Sequence, residues 1–109
     1  MDEQLPGHIQ RFMTQQPDIS RAFQELGRRV HETGPLAERE RRLVKLGIAI
    51  GAGTEGGVHS AVRNCLADGL GAEDIRHAAR LAITTVGWPH AMAALSWVED
   101  VLDPSPARR

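Results

Sequence analysis

The feature that most constrains this chain is the regular recurrence of helix start and stop signals, with almost no strand signal between them. Prolines, glycines and N-capping side chains divide the sequence into segments of helical length. Asp18 is the predicted N-cap of the second helix. The predicted helices cover residues 5–15, 19–32, 36–50, 54–67, 71–87 and 89–102. We therefore predict an all-α fold of about six helices, with the third and fourth forming an antiparallel hairpin at its core.

The composition indicates one globular domain that associates with copies of itself. Hydrophobic residues make up 41% of the chain and charged residues 25%, which is typical of a folded protein. Aromatic residues are only 4%, so the core must be built from Ala, Leu, Ile and Val. The sixth helix is apolar around most of its circumference, which predicts that it lies in a subunit contact. We predict a single domain over residues 1–109, a flexible tail over 103–109, and a homo-oligomer.

The net charge and the targeting signals limit which binding partners and which cellular compartment we expect. A net charge of −1 favours neither nucleic acid nor an anionic membrane as a partner. No segment approaches the roughly 20 apolar residues needed to span a bilayer, and the first residues lack the pattern of a signal peptide. The single Cys65 excludes an intrachain disulfide and fits a reducing compartment. We expect a soluble cytoplasmic protein.

Three ionisable side chains fall on the apolar faces of the third and fourth helices. At 100° per residue, Glu40 lies within the apolar arc of the third helix, and Glu55 and His59 lie within the stripe of the fourth. A buried charge without a partner is costly, so such residues need partners or a purpose. Because the inward faces of a helix hairpin meet, we predict one polar cluster in an apolar pocket. Such a coupled set can move protons at neutral pH.

A structural role for the same residues is also open. Glu55 and His59 have the i,i+4 spacing of a helix pair that satisfies itself in a subunit interface. Glu40 is either a proton relay or the partner of a neighbouring arginine such as Arg39. A carboxylate substrate needs a cationic anchor, for which the candidates are Arg39, Arg41, Arg42 and Arg63.

No metal ion and no other cofactor is predicted. A metal site needs three or four converging ligands, and one histidine with two glutamates is only weak evidence for such a site. Cys65 is predicted to be a buried small hydrophobe and not a nucleophile. The catalytic candidates are therefore Glu40, Glu55 and His59, and the predicted partners are a small-molecule substrate and further copies of the chain.

An ordered series of motifs covers about the last two thirds of the chain. It begins with EGGVH at residues 55–59, continues with GLGAEDI at 69–75, and ends with GWP at 87–89. In this order and spacing, residues 36–102 resemble the carboxymuconolactone decarboxylase family, which includes the alkylhydroperoxidase-D-like proteins. The resemblance implies helical protomers assembled as a homo-oligomer, usually a trimer or a hexamer.

The resemblance also separates two branches of that family. Peroxidase members carry Cys-x-x-Cys-x-x-x-His with a relay glutamate twelve residues before the first cysteine. Carried onto this chain, the glutamate falls on Glu40 and the histidine on His59, but the cysteine positions fall on Ala52 and Glu55. Both redox thiols are therefore missing. Decarboxylase members place a glutamate four residues before the histidine, as Glu55 stands before His59.

This resemblance implies a carboxy-lyase. The expected reaction is cofactor-independent decarboxylation, or related lyase or isomerase proton chemistry, of a small carboxylated lactone-type metabolite. His59 would transfer the proton and Glu55 would fix its tautomer. Two alternatives are an alkylhydroperoxidase/peroxiredoxin-like antioxidant activity, against which the missing cysteines argue, and a non-catalytic oligomeric binding module on the same scaffold.

Overall fold

A computed structural model of the protein describes residues 5–105. It confirms the predicted all-α fold of six helices, and the described residues contain no strand. The helices are α1 (Gly7–Gln15), α2 (Pro17–Glu32), α3 (Glu38–Ala52), α4 (Glu55–Ala67), α5 (Ala72–Arg80) and α6 (Trp88–Leu102), with a 3₁₀ turn at Leu81–Thr84 between the last two. Within residues 5–105, no helix combines the length and the apolar character needed to cross a bilayer.

The chain divides into two compact units at the junction of Pro35 and Leu36. The first unit contains α1 and α2. Because α2 is strongly amphipathic, its apolar side chains recur at i, i+4, i+7 and i+11 along one face. All four are between 54% and 71% exposed: Ile19, Phe23, Leu26 and Val30.

The second unit packs α3, α4, α5 and α6 around one core. As the composition predicts, this core is aliphatic, and its largest fully buried side chains are Leu46, Ile50, Ile75, Val58, Val62, Val98 and Cys65. Completely buried alanines at 79, 91 and 94 lie between them. Side chains this small let helices approach closely, which is why few aromatic residues are needed.

Two adjacent helices of this unit, α3 and α4, form the predicted antiparallel hairpin. The chain reverses through Gly53, which has a left-handed φ of 72° and whose N–H donates to Ala49 O at 3.1 Å. At the other end of the hairpin, the Cys65 thiol donates to the backbone carbonyl of Arg42 at 3.7 Å. The Arg42 side chain also pairs with Asp68 just beyond α4. These contacts set which residues of the two helices lie side by side.

Two predicted helix boundaries are wrong. The second helix begins at Pro17, so Asp18 lies in its first turn and pairs with Arg21 instead of capping the helix. The fifth α-helix ends at Arg80 and does not run on to Gly87. Its continuation contains the β-branched residues 83–85, which disfavour an α-helix. There the chain tightens into the 3₁₀ turn, and Thr85 Oγ1 donates to Leu81 O at 2.8 Å.

Candidate functional site

The centre of the candidate site is a histidine–aspartate pair that joins two helices. His59 lies in the second turn of α4, and Asp100 lies near the end of α6. Their side chains meet with 2.9 Å between His59 Nε2 and Asp100 Oδ2, and each is 23% exposed. Because a carboxylate only accepts hydrogen bonds, Nε2 is the donor in this contact. In the neutral ring, Nδ1 then carries the free lone pair.

Glu55 lies beside this pair but is not buried. Its Oε2 is 4.0 Å from His59 Nε2, and its side chain is 60% exposed. The prediction that Glu55 points into an apolar pocket is therefore wrong for the single chain. As the first residue of α4, Glu55 has no preceding turn of its own helix to cover it. At this helix N-terminus the positive end of the helix dipole favours its carboxylate.

The sequence predicts that Glu40 joins His59 and Glu55 in one cluster. The structure does not bring Glu40 to these two residues. Glu40 is exposed in the first turn of α3, and its Oε1 accepts the Ala37 N–H at 2.8 Å. Cys65 of α4 contacts Arg42 of α3, so these two residues lie at the same level of the hairpin. Glu40 lies two residues from this level, away from the turn at Gly53, and His59 lies six residues from it, toward that turn. At a rise of 1.5 Å per residue, this places them about 12 Å apart along the hairpin. Glu40 therefore caps the start of its own helix by accepting a hydrogen bond from a backbone N–H.

Most of the proposed arginine anchors have acidic partners. Arg39 pairs with Asp74 through Nη2 and Oδ1 at 2.9 Å, so it is not the partner of Glu40. Arg41 pairs with Glu38, and Arg42 with both Glu38 and Asp68.

Arg63 differs from these three arginines. It lies one turn after His59 on the same face of α4 and is half-buried. Among the described residues, no hydrogen bond or ion pair of the Arg63 guanidinium is found. It is therefore the anchor candidate whose charge is available beside His59.

Cys65 is placed where thiol chemistry is suppressed. The side chain is completely buried in the core. Burial raises the pKa of the Cys65 thiol, with a smaller opposing effect from Arg42. Because the thiolate is the nucleophile, a thiol that stays protonated at neutral pH is a poor one. The prediction of a buried small hydrophobe is confirmed.

Two surface cavities of the second unit are not lined by Glu55, His59 or Asp100. One is an apolar groove of about 410 Å³ between α3, α5 and the 3₁₀ turn, with Arg39 and Asp74 at its rim. The other, of about 220 Å³, lies between α3 and α4 and is lined partly by Arg42 and Lys45. His90 is also held away from the site, because its Nε2 donates to Ile50 O at 2.7 Å.

Sequence reasoning missed Asp100. The available signal was an acidic side chain near the end of an otherwise apolar helix, together with the neighbouring Glu99. Glu99 bonds Arg76 on α5 at 2.8 and 3.0 Å, while Asp100 turns to α4. Helix periodicity can place Asp100 on a face of α6. It cannot identify His59, which lies 41 residues earlier in the sequence, as the residue that this face contacts.

A comparison with protein families places these helices in a known group. The model of the carboxymuconolactone decarboxylase family matches residues 17–100, from the start of α2 to Asp100. The match begins earlier than the resemblance over 36–102 had indicated, so α2 is part of the family pattern. Neither a curated protein nor a solved structure matched the chain.

Proposed function

The chain belongs to the carboxymuconolactone decarboxylase family, and from this premise we propose that it is a carboxy-lyase in which His59 transfers the proton. The substrate class is a small carboxylated lactone-type metabolite. The observation that carries the proposal is the 2.9 Å contact between His59 Nε2 and Asp100 Oδ2. A base held by a carboxylate is the arrangement that proton-transfer sites use.

Asp100 acts as a positioning residue for the His59 ring. By accepting the Nε2–H, it keeps Nδ1 as the nitrogen that exchanges a proton with substrate. It also stabilises the imidazolium when His59 is protonated. The sequence assigned tautomer control to Glu55, but Asp100 is the closer carboxylate, at 2.9 Å against 4.0 Å.

The remaining charges on α4 suit an anionic substrate. Arg63, one turn beyond His59, would bind an oxygen that the substrate retains. Glu55, one turn before His59, would lie beside the carboxylate that is lost. Repulsion between Glu55 and that carboxylate disappears when neutral CO₂ leaves, so it favours the transition state over bound substrate.

The reaction balances with these groups and one proton from water. The bond between the substrate carbon and its carboxylate breaks, and its electron pair stays on the substrate as an enolate-like carbanion while CO₂ departs. The imidazolium of His59 gives its Nδ1 proton to that carbon. A proton from water then restores the imidazolium.

A direct test measures CO₂ release and absorbance change with carboxymuconolactone. We expect His59→Ala to lose about 10²-fold or more in kcat, since general acid–base catalysis contributes roughly that much. Asp100→Asn should lose at least about tenfold in kcat, because the ring loses its negatively charged acceptor. Arg63→Gln should instead mainly raise KM.

The control is His8→Ala, an exposed histidine of α1 outside the family match. It should turn over like the wild type. Equal rates for the wild type and His59→Ala would contradict the assignment of His59. Absence of turnover in the wild type with a range of carboxylated lactones would favour the non-catalytic binding module.

A further inference from the structure

We propose that Glu55, His59 and Asp100 form a binding site for one divalent transition-metal ion. Each residue offers one donor atom, and all these atoms lie within 4.8 Å of one another. Among the described residues this is the one group of at least three histidine, cysteine or acidic side chains that converges in this way. The inference goes beyond the proposed carboxy-lyase activity and does not rest on it.

The donor separations are close to those of a metal site. Zinc binds imidazole nitrogen and carboxylate oxygen at roughly 2.0–2.2 Å, so two ligand atoms on one ion are no more than about 4.4 Å apart. The contacts from His59 Nε2 to Asp100 and to Glu55, at 2.9 and 4.0 Å, already lie within this limit. The largest separation in the group needs only a small adjustment.

The side chain that must adjust is the one with freedom to do so. Glu55 is 60% exposed and lies in the first turn of α4, so most of its side chain can move in solvent. His59 and Asp100 are each 23% exposed and come from two helices that pack against the same core. Two ligands are therefore already held by the fold, and the third closes on them.

The chemistry of the donors selects the class of ion. One imidazole with two carboxylates suits zinc, cobalt and related first-row divalent ions better than calcium, which takes six to eight oxygen ligands. The two carboxylates together match the charge of such an ion. Three protein ligands leave at least one coordination position for water, as in catalytic sites.

Metal binding and proton transfer would compete for the same ring. The metal takes the lone pair of His59 Nε2, so the proton that Nε2 donates to Asp100 must leave that nitrogen. A bound ion would therefore inhibit the decarboxylation proposed above. Binding of the ion is measured without any substrate, so failure of one proposal is distinguishable from failure of the other.

The experiment is calorimetric titration of EDTA-treated, dialysed protein with Co²⁺ and with Zn²⁺, together with the visible spectrum of the Co²⁺ form. We expect one ion per chain and visible Co²⁺ absorption bands. His59→Ala should weaken binding at least about tenfold, since even loss of a second-shell partner costs that much. Asp100→Asn and Glu55→Gln, which preserve side-chain shape, should each weaken it as well.

The chain contains a matched control on α5. Glu73 and His77 have the same i,i+4 spacing as Glu55 and His59, but within the described residues no third donor joins them. His77→Ala should therefore bind the ion as the wild type does. Circular dichroism of each variant checks that it is folded.

Two results would overturn the proposal. One is a wild-type protein that binds no Co²⁺ or Zn²⁺. The other is a result in which His77→Ala and His59→Ala weaken metal binding equally, or in which neither weakens it. The ion would then not be held by this group of side chains.

Discussion

At the scale of single residues, Gly53 lies where the hairpin turn approaches His90 of α6. Its φ of 72° is left-handed, and a Cβ placed on it would lie 3.3 Å from the His90 ring. The ring itself is fixed by its bond to Ile50 O. The backbone conformation therefore favours glycine at this position, and an added Cβ would also require a small shift of the His90 ring.

We expect Gly53→Ala to lower the free energy of unfolding by about 1–2 kcal/mol, the cost of a left-handed conformation for a residue with a Cβ. Urea denaturation of the purified variant measures it. The control is Gly47→Ala in α3, where nothing lies within 4 Å of an added Cβ. That substitution should leave stability equal or higher, because alanine is the better helix former.

Cys65 allows a separate test of the peroxidase alternative. With its side chain completely buried and the pKa of its thiol raised, it should react only very slowly with a thiol reagent in the native protein. The same thiol should react fully in denaturant. Cys65→Ser should leave any peroxide turnover unchanged, and turnover abolished by this substitution would show that the thiol is redox-active.

At the scale of secondary structure elements, Asp74 links α3 to the start of α5. Its Oδ2 accepts the Gly71 N–H at 3.2 Å, and its carboxylate pairs with Arg39 of α3. The hydrogen bond from Arg39, followed by that from Gly71, lowers the pKa of the Asp74 carboxyl below its usual 3.8. The ionised form is therefore favoured by folding.

The pH dependence of protein stability follows from the lowered pKa of Asp74. Stability from ionised Asp74 is fully present above the unfolded pKa of 3.8 and is lost as the pH falls through the lowered folded value. Asp74→Asn should thus be less stable than the wild type at neutral pH, and the difference should shrink toward zero in acid. Urea midpoints at several pH values measure this. Asp18→Asn, at a carboxylate that is 91% exposed, should show a smaller loss.

The elements also show what the sequence could and could not predict. Helix existence follows from local signals, so α3, α4 and their antiparallel turn at Gly53 were predictable. The 3₁₀ turn after Arg80 was not, because it reflects a local conflict between β-branched residues and the continuing helix. The His59–Asp100 contact was not predictable either, since it depends on how α6 packs on α4. Glu40 was misplaced because helix periodicity gives its face and not its level along the hairpin, where it lies about 12 Å from His59.

At the scale of the whole molecule, the apolar face of α2 carries four large side chains that are between 54% and 71% exposed. Burying large apolar side chains is worth roughly 1.5–3 kcal/mol each, so a stripe of four is a strong drive to association. We expect this face to be covered by another copy of the chain, in line with the homo-oligomer that the family implies.

Phe23, at 71% exposed, is the position at which to test this expectation. A charge there would be desolvated in an interface, so Phe23→Glu should shift the mass measured by light scattering at micromolar concentration toward the monomer. Gln24→Glu adds the same charge about 100° around α2 from Phe23, outside the apolar face, and should not change the mass. A wild-type protein that is already monomeric would contradict the expectation.

The position of Asp100 links the site to the edge of the fold. It lies two residues before Leu102, where α6 ends, and terminal turns open more easily than the rest of a helix. If that turn unwinds, the His59 ring loses its orienting carboxylate and the contacts of Val101 and Leu102 with the core are lost, while the fully buried Val58 and Val62 lie on α4. On warming, the proposed activity should fade before the protein melts, so its temperature range would be set by the opening of one helix end and not by overall stability.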